Sequence, residues 1–177
     1  MNRYLFAIIV LGIFLRIFAL NQSFWLDEAI GALVVKEQNI VQIATQFPKG
    51  DNHPPLYYLA LEGWSNLFGY SEVVLRSLSV LFGVLTIYFS FLIAKIFTKK
   101  KKVFYPLFSA LLLASSPFHI YYSQEARMYI MAGLFATMAI YYFLLTLDTK
   151  VKQKYPWILF SLSITALVFT DYVPVFL

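Results

Sequence analysis

The sequence predicts an all-α protein with about five membrane-spanning helices. Of its 177 residues, 60% are hydrophobic and 13% are charged, whereas soluble domains average roughly 45–50% apolar and about 25% charged residues. Apolar runs recur along the chain, and several approach the ~20 residues that a helix needs to cross a bilayer. Lysines and arginines cluster beside these runs, a distribution typical of membrane topology.

The composition also excludes some functional classes. The chain contains no cysteine, so a disulfide framework and a thiolate metal site are both excluded. Its net charge of +5 is concentrated at the ends of the apolar runs instead of forming a continuous basic surface. We therefore expect no nucleic-acid partner.

The first predicted span covers residues 4–20 and follows the basic residue Arg3. This arrangement is similar to a signal peptide. The following residues, Asn21-Gln22-Ser23-Phe24-Trp25, do not fit the small-residue pattern of a cleavage site. We predict a retained span with a cytoplasmic N-terminus.

Four further spans are predicted over residues 73–97, 103–118, 129–147 and 156–177. Residues 54–68 form another apolar stretch, which is short and contains Glu62. We predict that it forms a helix lying in the headgroup layer, where Tyr57, Tyr58 and Trp64 suit the interface.

The basic residues favour this five-span arrangement, because Lys and Arg prefer the cytoplasmic side of short loops. Nine of the fourteen then lie inside: Arg3, Lys95, the four lysines at 99–102, Lys150, Lys152 and Lys154. Five lie outside or near it: Arg16, Lys36, Lys49, Arg76 and Arg127. Among the acids only Asp148 lies inside. A sixth span at 54–68 would place the two lysine clusters on opposite sides of the membrane.

The predicted outer loop, residues 21–71, is far longer than an ordinary connection and is therefore expected to be functional. Residues 26–41 show the apolar spacing of a short helix. Turn-forming residues dominate 48–55. Pro54 and Pro55 are suited to open the helix at 56–68, since proline is tolerated in a first helical turn.

Asp27 and Glu28 in this loop are the first candidates for chemistry. They follow Phe24 and Trp25, aromatic residues of the kind that favour a membrane interface. One interpretation is a carboxylate that takes a proton from an acceptor hydroxyl while its neighbour orients nearby groups. The alternative is a pair of solvated acids at a helix terminus.

His53 is the second candidate, directly before Pro54 and Pro55. The prolines are explained by a turn into a helix, whereas His53 could bind a phosphate, a metal or nothing. The sequence offers no ligand spacing that supports a metal site. A divalent ion at His53 stays an open alternative, and no other cofactor is predicted.

Arg127 in the segment Ser123-Gln124-Glu125-Ala126-Arg127-Met128-Tyr129 is the third candidate. A guanidinium suits bidentate phosphate recognition, and the topology lets it face what Asp27 faces. An arginine at the headgroups is the structural alternative. For Arg16 and Arg76, near span ends, snorkelling is the simple explanation. Asp171 lies ~22 Å along the fifth span, where an acid is a functional-site hypothesis.

In this order the motifs resemble the N-terminal part of the polytopic glycosyltransferases of the GT-C fold. The resemblance is to the dolichyl-phosphate-mannose–protein mannosyltransferase-like family, which includes the lipid A aminoarabinose transferases. It runs from Arg16 to Asp171. It implies a sugar moved from a polyprenyl-phosphate donor to a protein, lipid or glycan acceptor on the outer membrane face. It also implies that residues 1–177 are the N-terminal part of one larger transmembrane domain.

The resemblance also suggests roles for residues. Asp27 matches the catalytic base, with Glu28 beside it, and His53 stands where relatives carry His or Lys near the donor phosphate. Arg76 and Arg127 are candidates for structure or phosphate contact. The same motifs add Tyr57 and Glu125 as candidate substrate contacts. The chain departs from the family pattern at Asp171-Tyr172, where many relatives have His-Tyr.

Two other functions stay open from the sequence. A carrier or flippase for lipid-linked sugars would use Arg16, Arg76 and Asp171 to line a path, although the inverted repeats and broken helices of transporters are not evident. A non-catalytic membrane subunit is the other alternative.

Overall fold

The computed structural model describes residues 3–18, 20–47, 53–98, 103–147 and 154–172, and all regular secondary structure in these ranges is helical. The all-α prediction is therefore confirmed. The helices are α1 (Arg3–Ile17), α2 (Leu26–Glu37), α3 (Ile40–Thr45), α4 (Leu56–Phe68), α5 (Glu72–Phe97), α6 (Phe104–Ser115), α7 (Pro117–Ser123), α8 (Tyr129–Thr146) and α9 (Tyr155–Thr170).

Of the five predicted spans, α5 and α8 are long and apolar enough to cross a membrane, whereas α6 and α9 are shorter apolar helices. At 15 residues, α1 also falls below the ~17 that a span needs. Several charges behind the predicted topology lie outside the described residues: Lys49, Asp51, the lysines at 99–102, Asp148, Lys150 and Lys152. Residues 173–177, the end of the fifth predicted span, also lie outside them.

Helix α5 is the centre of the bundle. It packs against α1, α6 and α8, and α8 in turn packs against α9. The Ser71 side chain caps α5 by accepting the Val74 N–H, and Glu72 lies in the first turn, where a negative charge stabilises the positive end of the helix dipole. Because α5 packs against α1, α4, α6, α7 and α8, residues along it fix the positions of the segments that connect these helices.

Helix α4 begins and ends as predicted but faces the protein. Tyr57 and Tyr58 are 0% and 1% exposed, in an apolar core that includes Val35 of α2 and Leu75 of α5. Trp64 donates its Nε1–H to the Val74 carbonyl, at 3.1 Å, and to Ser77 Oγ, at 3.0 Å. The prediction that Tyr57 and Tyr58 lie among lipid headgroups is therefore wrong, because neighbouring helices cover them, whereas Trp64 is only partly buried.

Arg16 lies at the centre of a buried polar cluster, next to the place where α6 ends at Ser115 and α7 begins at Pro117. Its side chain is 0% exposed, so the snorkelling interpretation is wrong. All five guanidinium N–H groups have acceptors: the carbonyls of Gly12, Leu113 and Ala114, Ser123 Oγ and His119 Nδ1. Arg16 therefore binds carbonyls that the end of α6 leaves open.

Gly83 of α5 lets this polar cluster form. A Cβ atom at position 83 would lie 2.3 Å from Ser123 Oγ and 3.3 Å from Arg16 Nε. Only a residue without a side chain allows α5, α1 and α7 to approach this closely.

Candidate functional site

Asp27 and Glu28 occupy the first turn of α2, where negative charge is favourable. Successive side chains on a helix point about 100° apart, so the two acids face different surroundings. Glu28 is buried, with a 1% exposed side chain, whereas the Asp27 side chain is 40% exposed. The acidic pair is thus divided into one carboxylate held inside the protein and one open to solvent.

Glu28 forms a buried bidentate ion pair with Arg76 of α5. Arg76 Nε donates to Glu28 Oε1 at 2.9 Å, and Arg76 Nη2 donates to Glu28 Oε2 at 2.6 Å. Parallel N–H···O bonds of this kind fix orientation as well as distance. The pair therefore holds the start of α2 against α5.

Arg76 has no N–H group left for a phosphate in this arrangement. Its other three donors bind the carbonyls of Leu20, Gln22 and Ser23, which accounts for all five. Its guanidinium also lies 5.1 Å from the centre of the Phe24 ring. In the structure Arg76 fixes the backbone between α1 and α2. The sequence had suggested snorkelling or phosphate contact for this residue.

Glu28 also connects α2 to the segment before α8. Its Oε1 accepts the backbone N–H of Ala126 at 2.7 Å, across 98 residues of sequence. The adjacent residues consequently meet: Arg127 Nη2 lies 3.7 Å from Asp27 Oδ2, and Arg127 Nη1 donates to the Asp27 carbonyl at 3.3 Å. The structure therefore brings Asp27, Glu28, Arg76 and Arg127 together.

Arg127 differs from Arg76 in having donor capacity to spare. Its Nε is buried without a hydrogen-bond partner among the described residues. Besides its 3.7 Å approach to Asp27 Oδ2, its Nη2 makes a long contact, 3.5 Å, to the Tyr129 hydroxyl, and the guanidinium lies 5.6 Å from the Tyr129 ring centre. An accessible carboxylate, Asp27, thus lies beside a largely buried cation that keeps one N–H without an acceptor among the described residues.

Glu125 lies on the other side of the Glu28–Ala126 contact. It is 7% exposed, and its Oε2 has no partner within the described ranges. Burial raises the pKa of the Glu125 carboxyl, and the Glu28 charge adds to the rise, whereas the Tyr121 hydroxyl and the two guanidinium groups oppose it. A cavity of about 220 Å³ is lined by Gln22, Ser23, Trp25, Glu28, Arg76, Tyr121, Gln124 and Glu125.

Tyr57 and His53 are not brought into this group as open contacts. Tyr57 is 0% exposed, so in this conformation it has no surface for a substrate. His53 is partly buried in the segment before α4. Within the part of the chain that the structure describes, no group of three His or acidic residues could hold a metal ion.

Several groups at the site could not be found from side-chain motifs. The Ala126 N–H and the carbonyls of residues 20, 22 and 23 belong to the backbone, which sequence patterns do not mark. Gln124 donates its Nε2–H to the carbonyls of Leu15 and Arg16 and so joins α1 to the candidate site. Trp25 and Tyr121 could have been suspected from their places beside the two acidic motifs.

The comparisons with known proteins give one match. The sequence profile of the dolichyl-phosphate-mannose-protein mannosyltransferase family matches residues 52–176. The matched region contains Arg76, Glu125 and Arg127, while Asp27 and Glu28 precede it. No curated protein and no solved structure matches the chain.

Proposed function

Because the chain belongs to the dolichyl-phosphate-mannose-protein mannosyltransferase family, we propose that it transfers a sugar from a polyprenyl-phosphate carrier to a protein, lipid or glycan acceptor on the outer face of a membrane. Family membership indicates a glycosyltransferase that uses a lipid-linked sugar, and the family uses a dolichyl-phosphate sugar donor and a protein acceptor. The family and the two long apolar helices together indicate an integral membrane protein.

The proposed reaction is an inverting displacement at the anomeric carbon. The acceptor oxygen attacks this carbon and gives its proton to the Asp27 carboxylate. The bond between the anomeric carbon and the phosphate oxygen breaks, and its electron pair leaves with the lipid phosphate. Arg127 stabilises the charge that develops on this leaving group.

The observation that carries the proposal is the pairing of an exposed carboxylate with an under-used guanidinium. Asp27 is open enough to meet an acceptor hydroxyl, and Arg127 lies 3.7 Å from it with donor capacity left for a phosphate oxygen. The base and the phosphate-binding cation are thus close enough to act on the two ends of one displacement. His53 stays a predicted second contact to the phosphate.

Glu28 and Arg76 are positioning residues in this proposal. Glu28 lies beside Asp27 and binds the N–H of Ala126, the residue before Arg127. Arg76 fixes Glu28 through both carboxylate oxygens. The pair therefore controls the separation of Asp27 and Arg127. Buried Tyr57 contributes to the core beneath α2.

The test is sugar transfer by full-length protein in membranes, with a radiolabelled polyprenyl-phosphate sugar as donor. Asp27→Asn removes the base but keeps the shape, and general-base assistance contributes about 10²–10⁴-fold. We expect transfer to fall by that order, while Glu37→Gln, an exposed acid at the end of α2, retains full transfer. Near-normal transfer by the Asp27→Asn protein would remove Asp27 from the role.

The same proposal places the N-terminus in the cytoplasm and Asp27 outside. Single cysteines at position 27 and within 99–102 can be labelled with an impermeant maleimide on intact cells and on inverted vesicles. We expect the two positions to react from opposite sides. Labelling of both from the same side would contradict an outer-face site.

A further inference from the structure

The cavity beside Glu125 is distinct from the space between Asp27 and Arg127. Neither of those two residues lines it, and its volume is about 220 Å³. At roughly 30 Å³ for each water in the liquid, this equals the space of about seven waters. The cavity therefore has room for one compact polar group, and it adjoins the proposed displacement site through Glu28, which lines it and directly follows Asp27.

Two of the donor side chains that line the cavity, Arg76 and Gln124, are already occupied, whereas one carboxylate oxygen is not. The Arg76 guanidinium spends its five donors on Glu28 and three carbonyls, and the Gln124 amide donates to the carbonyls of Leu15 and Arg16. Glu125 Oε2, in contrast, lacks a partner among the described residues. A buried carboxylate oxygen is stabilised by a group that supplies an O–H or N–H.

The charges of the lining residues select against a phosphate. Two carboxylates, Glu28 and Glu125, face one guanidinium, Arg76, which is already paired. A phosphate brings acceptors and negative charge, whereas a neutral polyol brings donors. The cavity thus differs from the surroundings of Arg127, where a cation retains free donor capacity.

Two aromatic side chains at the cavity complete its chemistry. Trp25 is 48% exposed and Tyr121 is 57% exposed, so both present ring surface to an incoming group. The electron-rich face of an aromatic ring attracts the slightly positive C–H groups of a pyranose. A sugar ring presents both C–H groups, which can pack on the aromatic surface, and hydroxyl groups, which can donate to the unpaired carboxylate oxygen.

We propose that this cavity is a subsite for a neutral, hydroxyl-bearing sugar ring, which donates a hydroxyl to Glu125 and packs against Trp25 or Tyr121. The inference rests on the proposed transferase function and deepens it. It places a sugar on the Glu125 side of Glu28 and the lipid phosphate on the Arg127 side. The ring belongs either to the donor or to a glycan acceptor, since both present the same hydroxyls.

The test uses the full-length protein in nanodiscs, with methyl α-mannoside as the probe and calorimetry as the measurement. Loss of a hydrogen bond to a charged group weakens binding by about 10- to 100-fold, so we expect this loss in Glu125→Gln, and a loss of about 10-fold in Trp25→Ala. Two matched controls, Glu37→Gln and Trp157→Ala, change an exposed acid and a 55% exposed tryptophan elsewhere and should bind as the wild type does.

Kinetics separate the two sources of the ring. Inhibition of transfer by methyl α-mannoside that competes with the lipid-linked donor assigns the cavity to the donor sugar, and competition with a glycan acceptor assigns it to the acceptor. Either result supports the subsite. The proposal is overturned if the probe neither binds nor inhibits, or if folded Glu125→Gln protein with a wild-type unfolding temperature keeps wild-type affinity and KM.

The Asp27→Asn protein separates this proposal from the proposed function. It should bind methyl α-mannoside normally while transfer is lost, because Asp27 does not line the cavity. If the wild-type protein binds the probe through Glu125 but transfers no sugar, the transferase function is overturned and the subsite stands. If Asp27→Asn abolishes transfer and Glu125→Gln leaves the probe affinity unchanged, the subsite is overturned and the transferase function stands.

Discussion

Replacing Glu28 by glutamine tests how the site is held together. Glu28 and Arg76 are 1% and 4% exposed, so the substitution leaves a buried guanidinium without its counter-charge. It also turns an amide N–H₂ toward a group that can only donate. Removing one partner of a buried ion pair destabilises a protein by about 3–5 kcal/mol. For a chain of this size that lowers the unfolding temperature by about 6–20 °C.

The change should reduce activity as well as stability. Glu28 holds the Ala126 N–H, and the same contact keeps Arg127 beside Asp27. Sugar transfer measured well below the unfolding temperature should therefore fall even where the variant is folded. The matched control is Glu37→Gln on the same helix, which alters an exposed acid.

Arg76→Lys provides the complementary variant. Lysine keeps the positive charge but has three donors in place of five and lacks the planar fork, so at least two acceptors among Glu28 and the three backbone carbonyls lose their partner. Unfolding temperatures of the wild type and the variants in the same detergent give the comparison. Wild-type stability and transfer in both Glu28→Gln and Arg76→Lys would refute the positioning role.

Three further predictions concern other parts of the molecule. Gly83→Ala should destabilise the protein by about 1–3 kcal/mol through overpacking, because its Cβ would lie 2.3 Å from Ser123 Oγ, whereas Gly133→Ala, with nothing within 4 Å, should not; thermal unfolding compares them. Burial keeps the pKa of Glu125 above its ordinary 4.5, so the folded state holds this proton more tightly than the unfolded chain. The free energy of unfolding should therefore fall as pH rises from 4.5 through the raised pKa, and Glu125→Gln should flatten that slope; an unchanged slope would contradict the shift. Arg16→Met should leave the Ala114 carbonyl unpaired, at a cost of about 1–3 kcal/mol, while Arg3→Met at an exposed position serves as the control; resistance to proteolysis reports the difference.

The helices could be predicted from the sequence because the residues that start and end a helix lie within or beside it. Pro54 and Pro55 marked the start of α4, and the second predicted span differs from α5 by one residue at its start. The surroundings of each helix were not accessible in the same way. An apolar face on α4 shows that Tyr57 and Tyr58 avoid water, but the same pattern results whether lipid or protein covers them.

The sequence predicted which residues belong to the candidate site but not the hydrogen bonds and ion pairs that join them. Asp27 and Arg127 could be placed on one side of the membrane by topology, and the structure adds their 3.7 Å contact. The role of Arg76 depends on three backbone carbonyls, which have no sequence signature. The contrast between Glu28 and Asp27 follows from helix geometry together with the position of α5, and a sequence supplies only the first of these.

The interruption between α6 and α7 links the identities of distant residues. Without Arg16, the carbonyl of Ala114 would lose its hydrogen bond, and that of Leu113 would keep only a long one, 3.4 Å, from the Ser116 N–H. Conversely, an uninterrupted helix through Ser116 and Pro117 would satisfy those oxygens itself and strand a charge inside the bundle. Position 16 and the 116–117 break are thus expected to change together or not at all, so grafting either one alone into a related protein should destabilise it, whereas transplanting both should not.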